Sequence, residues 1–328
     1  MDLDVVFVGT SGSMPTARRA PTATLVRRGG ERLLFDCAEG TQRPLLRSDV
    51  GLVELREIFL THFHADHFLG LPGMLKTFAL RGRELPLTIY GPRGLGELMG
   101  SLRRIFGRLT YPYELVELSP GDVLERDDYR LLAFAARHGQ AAVGYSLVEA
   151  DRPGRFDLEI ADRLGVPSGP ERGALQRGES VTLADGEVVR ASQVLGVARV
   201  GRKLVLSGDT APTPTVVAAA EHADVLVHEA TFCLDEAARA RETEHSTAAE
   251  AARVAVEAGV RLLALTHLSS RYSAGEIERE AREVFPETVV PRDFDMIEIP
   301  FPERGAPTLV KSGARLPRAP SPIAAPTP

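Results

Sequence analysis

The chain has 328 residues, 44% of them hydrophobic and 26% charged, with two cysteines and a formal net charge of −6. That composition excludes a disordered or fibrous protein and a disulfide-stapled miniprotein, and no apolar run approaches the length needed to span a bilayer. The acidic total works against a polyanionic partner unless basic residues gather locally, while Cys37 and Cys233 read as small buried residues of a reducing compartment, which places the chain in the cytoplasm.

In chain order, residues 5–8 form a buried strand that runs into the small-residue loop 9–15, and residues 23–26 and 32–35 form a hairpin around Gly29-Gly30. The second hairpin strand ends at Asp36, whose carboxylate points towards the rim reached by the next strand and serves as an anchor there. That next strand ends in Ile58-Phe59-Leu60 and delivers Thr61-His62-Phe63-His64-Ala65-Asp66-His67. Imidazole and carboxylate in one cluster are the ligand set of zinc-like ions. Strand register out of Leu60 puts His62 and His64 on one side, and a turn at Asp66-His67 aims those two at a second ion. A helix opens near Pro72 and runs over 73–80, residues 87–90 are a strand, and 95–106 a helix.

The later strands repeat one pattern. Residues 130–135 are followed by His138, residues 203–206 by Ser207-Gly208-Asp209, residues 224–227 by His228-Glu229, and residues 262–265 by Thr266-His267. In α/β sheets the carboxyl ends of strands are where sites assemble, so these residues converge on the first cluster. His62, His64 and His138 are assigned to one ion, Asp66, His67 and His267 to the other, and Asp209 to a position bridging both. Such a pair would activate water and offset the charge of a phosphate under attack. Asp66 is placed as both ligand and proton acceptor. His245 is the candidate proton donor: Thr247 and Glu250 form a capping box for a helix over 248–258, so His245 lies just before a helix N-terminus, where an anionic phosphate sits well. Glu229 is placed to hold that imidazole protonated. Ser273 and Glu276 form a second capping box, and 296–299 close the core.

His-x-His-x-Asp-His followed by a distant His, Asp and His resembles the metallo-β-lactamase superfamily, which implies an α/β fold, the αββα sandwich with metals at one edge. Gly9 to Pro15, Glu39-Gly40-Thr41-Gln42-Arg43, Ser207-Gly208-Asp209-Thr210, His228-Glu229-Ala230-Thr231-Phe232, His245-Ser246-Thr247 and Thr266-His267-Leu268-Ser269-Ser270-Arg271-Tyr272 look like the tRNase Z family. The resemblance implies an endoribonuclease that removes the 3′ trailer of precursor tRNA, two Zn²⁺ per subunit, a homodimer, and catalytic roles for Glu229 and His245. It divides the chain into a first core half (1–150), an inserted flexible arm that binds tRNA (151–202), a second core half (203–300) and a disordered Pro/Ala-rich tail (301–328). The arm is barely basic, with nine Lys/Arg against eight Asp/Glu from Asp151 to Lys203. That balance keeps open an alternative of the same superfamily, a metal-dependent small-molecule phosphodiesterase or sulfatase.

Overall fold

The computed structural model describes residues 1–47, 54–139 and 141–312. Two sheets lie face to face. The first has eight strands in the order Thr308–Val310, Met296–Glu298, Leu3–Gly9, Ala23–Arg28, Glu31–Phe35, Glu57–Phe59, Leu87–Pro92, Tyr113–Leu118. The second has seven: Thr288–Val289, Leu262–Thr266, Val225–Glu229, Lys203–Leu206, Val143–Glu149, Tyr129–Ala135, Val123–Glu125. Each sheet is antiparallel in one half and parallel in the other, with the parallel pairs running from Glu31–Phe35 to Tyr113–Leu118 and from Lys203–Leu206 to Thr288–Val289.

The central strands alternate in direction of burial rather than in polarity, because both of their faces are covered. In the first strand Val5 and Phe7 enter the layer between the sheets, while Val6 and Val8 enter the layer beneath the helices Leu71–Leu80 and Leu95–Phe106. The inter-sheet layer is centred on aromatic rings: Phe59 stacks on Phe35 at 4.9 Å and on Tyr90 at 4.5 Å, with Tyr145 from the second sheet edge-on to it. A third apolar layer joins the second sheet to the helices Pro214–Ala220, Ala248–Ala258 and Ala274–Arg282. The order is helix, sheet, sheet, helix, the αββα architecture that the resemblance implied. No helix among the described residues is long and apolar enough to cross a membrane.

Three expectations need correction. Composition predicts disorder throughout 301–328, yet Thr308–Val310 pairs antiparallel with Met296–Glu298 and Pro302–Arg304 forms a 3₁₀ turn. Edge pairing satisfies backbone groups without needing a run of apolar side chains, so so short a strand leaves little trace in composition; residues 313–328 lie outside the described residues. Residues 61–64 do not continue a strand either. The strand ends at Phe59, and Asp66 and His67 stand in a short helix, Ala65–Phe68. In the same way His228 and Glu229 are the last two residues of strand Val225–Glu229 rather than following its end.

Residues 151–202 carry helices Leu158–Arg163, Pro170–Gln176 and Ala191–Val194 and a hairpin of Val181–Thr182 with Val188–Val189. They enclose an apolar centre of their own, built from Ala161, Val166, Leu175, Val189, Ala191 and Val194.

Candidate metal centre

Loops at one edge of the sandwich carry the chemistry, and they come from both sheets. The loop after Glu57–Phe59 supplies His62 and His64, and the short helix Ala65–Phe68 that follows supplies Asp66 and His67; loops after strands of the second sheet supply His138, Asp209 and His267. Ligand atoms of His62, His64 and His138 lie within 4.8 Å of one another, and so do those of Asp66, His67 and His267. Asp209 Oδ2 stands between the two sets, 3.1 Å from His267 Nε2, 3.2 Å from His67 Nε2 and 3.9 Å from Nε2 of both His62 and His138. All seven residues singled out for metal are therefore brought together.

The hydrogen bonds behind these side chains decide which ring nitrogen faces inward. Asp36 can only accept, so His67 donates Nδ1–H to it at 2.8 Å. Thr61 spends its hydroxyl proton on Asp36 and accepts from His62 Nδ1 at 3.1 Å. The Glu244 carbonyl accepts from His138 Nδ1 at 3.0 Å. Thr231 donates to Glu229 at 2.7 Å and accepts from His267 Nδ1 at 2.8 Å. Four imidazoles are thus held as the tautomer with a lone pair on Nε2, the form a cation needs. Nε2 of His62 and of His67 are buried with no hydrogen-bond partner, which is costly for a polar atom unless a cation takes it. His64 presents Nδ1 instead, 2.9 Å from His138 Nε2. The donor set, imidazole nitrogens and carboxylate oxygens, fits zinc-like ions.

Electrostatics agree with a place built for positive charge. Burial drives the His62 imidazole well below its usual 6.5, with the His67 charge acting the same way. Burial also works against a charged His67, but Asp209 and Asp36 on either side outweigh it and hold that ring well above 6.5. Burial by itself raises a carboxyl, in part for the half-buried Asp66 and fully for Asp209, yet the His267 and His67 rings beside them hold both well below the usual carboxylate range. The backbone N–H of Ser13 fixes Asp66 Oδ2 at 2.6 Å.

Next to the seven stands a second arrangement. Glu229, 1% exposed, accepts from His245 Nδ1 at 2.7 Å and also receives Thr210 N–H and Thr231 N–H. Burial pushes the His245 imidazole down, but the Glu229 charge and hydrogen bond win and raise it to about 9. His245 is within 4.0 Å of Asp209 and its ring centre lies 4.5 Å from that of His138. Thr247 and Glu250 cap the helix Ala248–Ala258 reciprocally. Sequence reasoning missed Thr231, Glu244 and the Ser13 N–H, which act through contacts distant in the chain. It also missed that Asp36 and His267 are left-handed, at φ 58° and 57°. A non-glycine residue costs free energy there and persists where surrounding contacts over-determine it. Gly12 shows how tightly His267 is enclosed, since a Cβ on it would come within 2.6 Å of His267 Nδ1.

Comparison with known proteins agrees with this geometry. A family model described as "Metallo-beta-lactamase superfamily" matches residues 17–267. A ribonuclease Z of Natronomonas pharaonis is 48% identical over 92% of this chain and 100% of its own length, and one of Gemmatimonas aurantiaca is 47% identical over 94% and 99%. The crystal structure of human tRNase Z, short form, superimposes with a TM-score of 0.66 at 27% identity, covering 90% of this chain and 99% of that one. The chain belongs to the ribonuclease Z family of the metallo-β-lactamase superfamily.

Proposed function

We propose that this protein is a zinc-dependent endoribonuclease that removes the 3′ trailer from precursor tRNA and leaves a 3′-OH on the tRNA. The enzyme class follows from membership of a family whose members are named ribonuclease Z along their whole length. The observation that carries the reaction is the Glu229–His245 pair standing beside two complete ligand sets. His62, His64 and His138 would hold one Zn²⁺, Asp66, His67 and His267 the other, and Asp209 would touch both. When bound, the two ions supply a hydroxide nucleophile at neutral pH and offset the charge of the phosphodiester.

The chain's own residues do the rest. Asp66, pinned by Ser13 N–H, offers a carboxylate oxygen to take the proton of the attacking water. His245, held by Glu229, gives its proton to the departing 3′ oxygen, and Thr210 and Thr231 N–H keep Glu229 ionised and still. The arm, residues 151–202, is the surface assigned to tRNA, and a homodimer in the cytoplasm is the assembly; both rest on the family resemblance.

The test uses zinc-loaded protein, a structured precursor tRNA and a map of the new 3′ end. Cleavage at the tRNA–trailer junction, abolished by chelation, is expected. An intact precursor alongside hydrolysis of a small diester such as bis(p-nitrophenyl) phosphate would overturn the reading in favour of a small-molecule phosphodiesterase, to which the net charge of −6 is better suited.

A further inference from the structure

The arm leaves the sandwich through a narrow neck. Arg152 on the way out and Arg199 on the way back exchange backbone hydrogen bonds, N–H to carbonyl at 2.8 Å in both directions. The two chains run so close that a Cβ on Gly154 would fall 2.0 Å from the Gly196 carbonyl oxygen. This neck grows from the Glu149 end of strand Val143–Glu149, whereas the Val143 end touches the metal loop through Val143 N–H to Thr61 O at 2.9 Å. At about 3.3 Å per residue, the neck is rooted roughly 20 Å from the ligands.

A stretch of the chain far along in sequence closes over that root. Glu303 accepts from Arg152 Nη2 on both carboxylate oxygens at 2.9 Å, and its Oε1 lies 3.5 Å from Arg199 Nη1. One carboxylate thus ties the outgoing and the returning strand. Phe301 lies under two guanidinium groups, with Arg152 Cζ 3.4 Å and Arg202 Cζ 4.1 Å from its ring centre. Arg202 is itself buried and bound to Glu149 and to the Ile299 carbonyl, so the latch is anchored in the sandwich. Arg199 Nε also donates to the Pro153 carbonyl at 3.0 Å. Since the arm has a core of its own, its internal shape does not need this contact; what the contact sets is the direction in which the arm leaves the body.

We propose that Glu303, with Phe301, is a positioning residue for substrate: it locks the neck so that the arm is held at one angle to the metal centre. The inference rests on the reading of the arm as the tRNA-binding surface. An arm free to swing would have to be ordered each time substrate binds, and that entropy would be lost from affinity, not from the chemical step.

Glu303→Ala tests this, with the parent protein first shown to cleave precursor tRNA; if the parent does not, the functional reading has failed and the latch is untouched. The expected result is a KM for precursor tRNA raised by about fivefold, the scale of one well-oriented ion pair, with kcat and hydrolysis of bis(p-nitrophenyl) phosphate unchanged. Hydrogen exchange supplies a readout free of tRNA: the Arg152 and Arg199 amides exchange faster in the variant, while amides around Val166 and Leu175 keep their protection. An unchanged or lowered KM, or neck amides as protected as in the parent, would overturn the proposal. So would a fall in small-diester hydrolysis equal to the loss on tRNA, which marks general damage.

Discussion

Replacing Asp36 by Asn isolates the contribution of the hydrogen bonds that stand behind the ligands. Asp36 belongs to none of the candidate ligand sets; its carboxylate, buried, accepts from His67 Nδ1 at 2.8 Å, from Thr61 N–H at 2.8 Å and from the Thr61 hydroxyl at 3.0 Å. Asn has the same size and tolerates the left-handed backbone that Asp36 adopts at φ 58°, so neither volume nor strain changes. One of its two terminal groups is now a donor. With the amide oxygen kept for Thr61, the NH₂ faces His67 Nδ1, and the ring relieves that conflict by moving its proton to Nε2, the atom 3.2 Å from Asp209. The outcome is a ligand with its lone pair turned away. Losses of this kind weaken metal affinity by about 10- to 100-fold, or about 1.4–2.7 kcal/mol. Competition of parent and variant for Zn²⁺ against a chelator of known affinity measures it, with total metal content as a control. Affinity within twofold of the parent would refute the claim that tautomer control by Asp36 prepares the site.

His245→Ala removes the proposed proton donor while leaving all seven candidate ligands in place, and kcat on precursor tRNA should fall about 10²- to 10⁴-fold with zinc content unchanged; loss of zinc in proportion to activity would count against the assignment. Glu149→Gln probes the ion pairs under the arm. Glu149 is buried, which by itself raises its carboxyl, but the hydrogen bond and charge of Arg202, with Arg28 beside it, hold it below the usual 4.5. A depressed folded value means the stabilisation is complete above about pH 4.5 and disappears as pH falls through the folded value. The variant should therefore be less stable by about 3 kcal/mol near neutrality, and urea midpoints of the two proteins should converge in acid. A gap that stays constant from neutral to acid pH would contradict it.

That the candidate ligands would gather was legible in the sequence because each follows an apolar run, and a residue after a buried strand has few places to go other than the sheet edge. The helices over 95–106 and 248–258 were legible for a local reason too: the capping box at Thr247 and Glu250 acts within one turn, and the structure starts the helix there. What escaped depends on contacts between distant segments. Nothing near Thr231 says that its hydroxyl will bridge Glu229 and His267, and nothing near Glu244 says that its carbonyl will orient His138. The arm's apolar centre was hidden because its members are spread among glycines, prolines and charges, with no period to reveal them. The short run from Leu60 to His64 was misjudged because β register and an irregular loop can present the same two side chains to one side.

Each candidate ligand set takes members from both sheets: His138 completes the set begun by His62 and His64, and His267 the set begun by Asp66 and His67. The layer of rings and aliphatic side chains between the sheets is held by contacts that are indifferent to small slides. Paired cations would supply the missing directionality, acting as two rivets through both plates, so that the same bonds which prepare the chemistry also set the alignment of the two halves of the molecule.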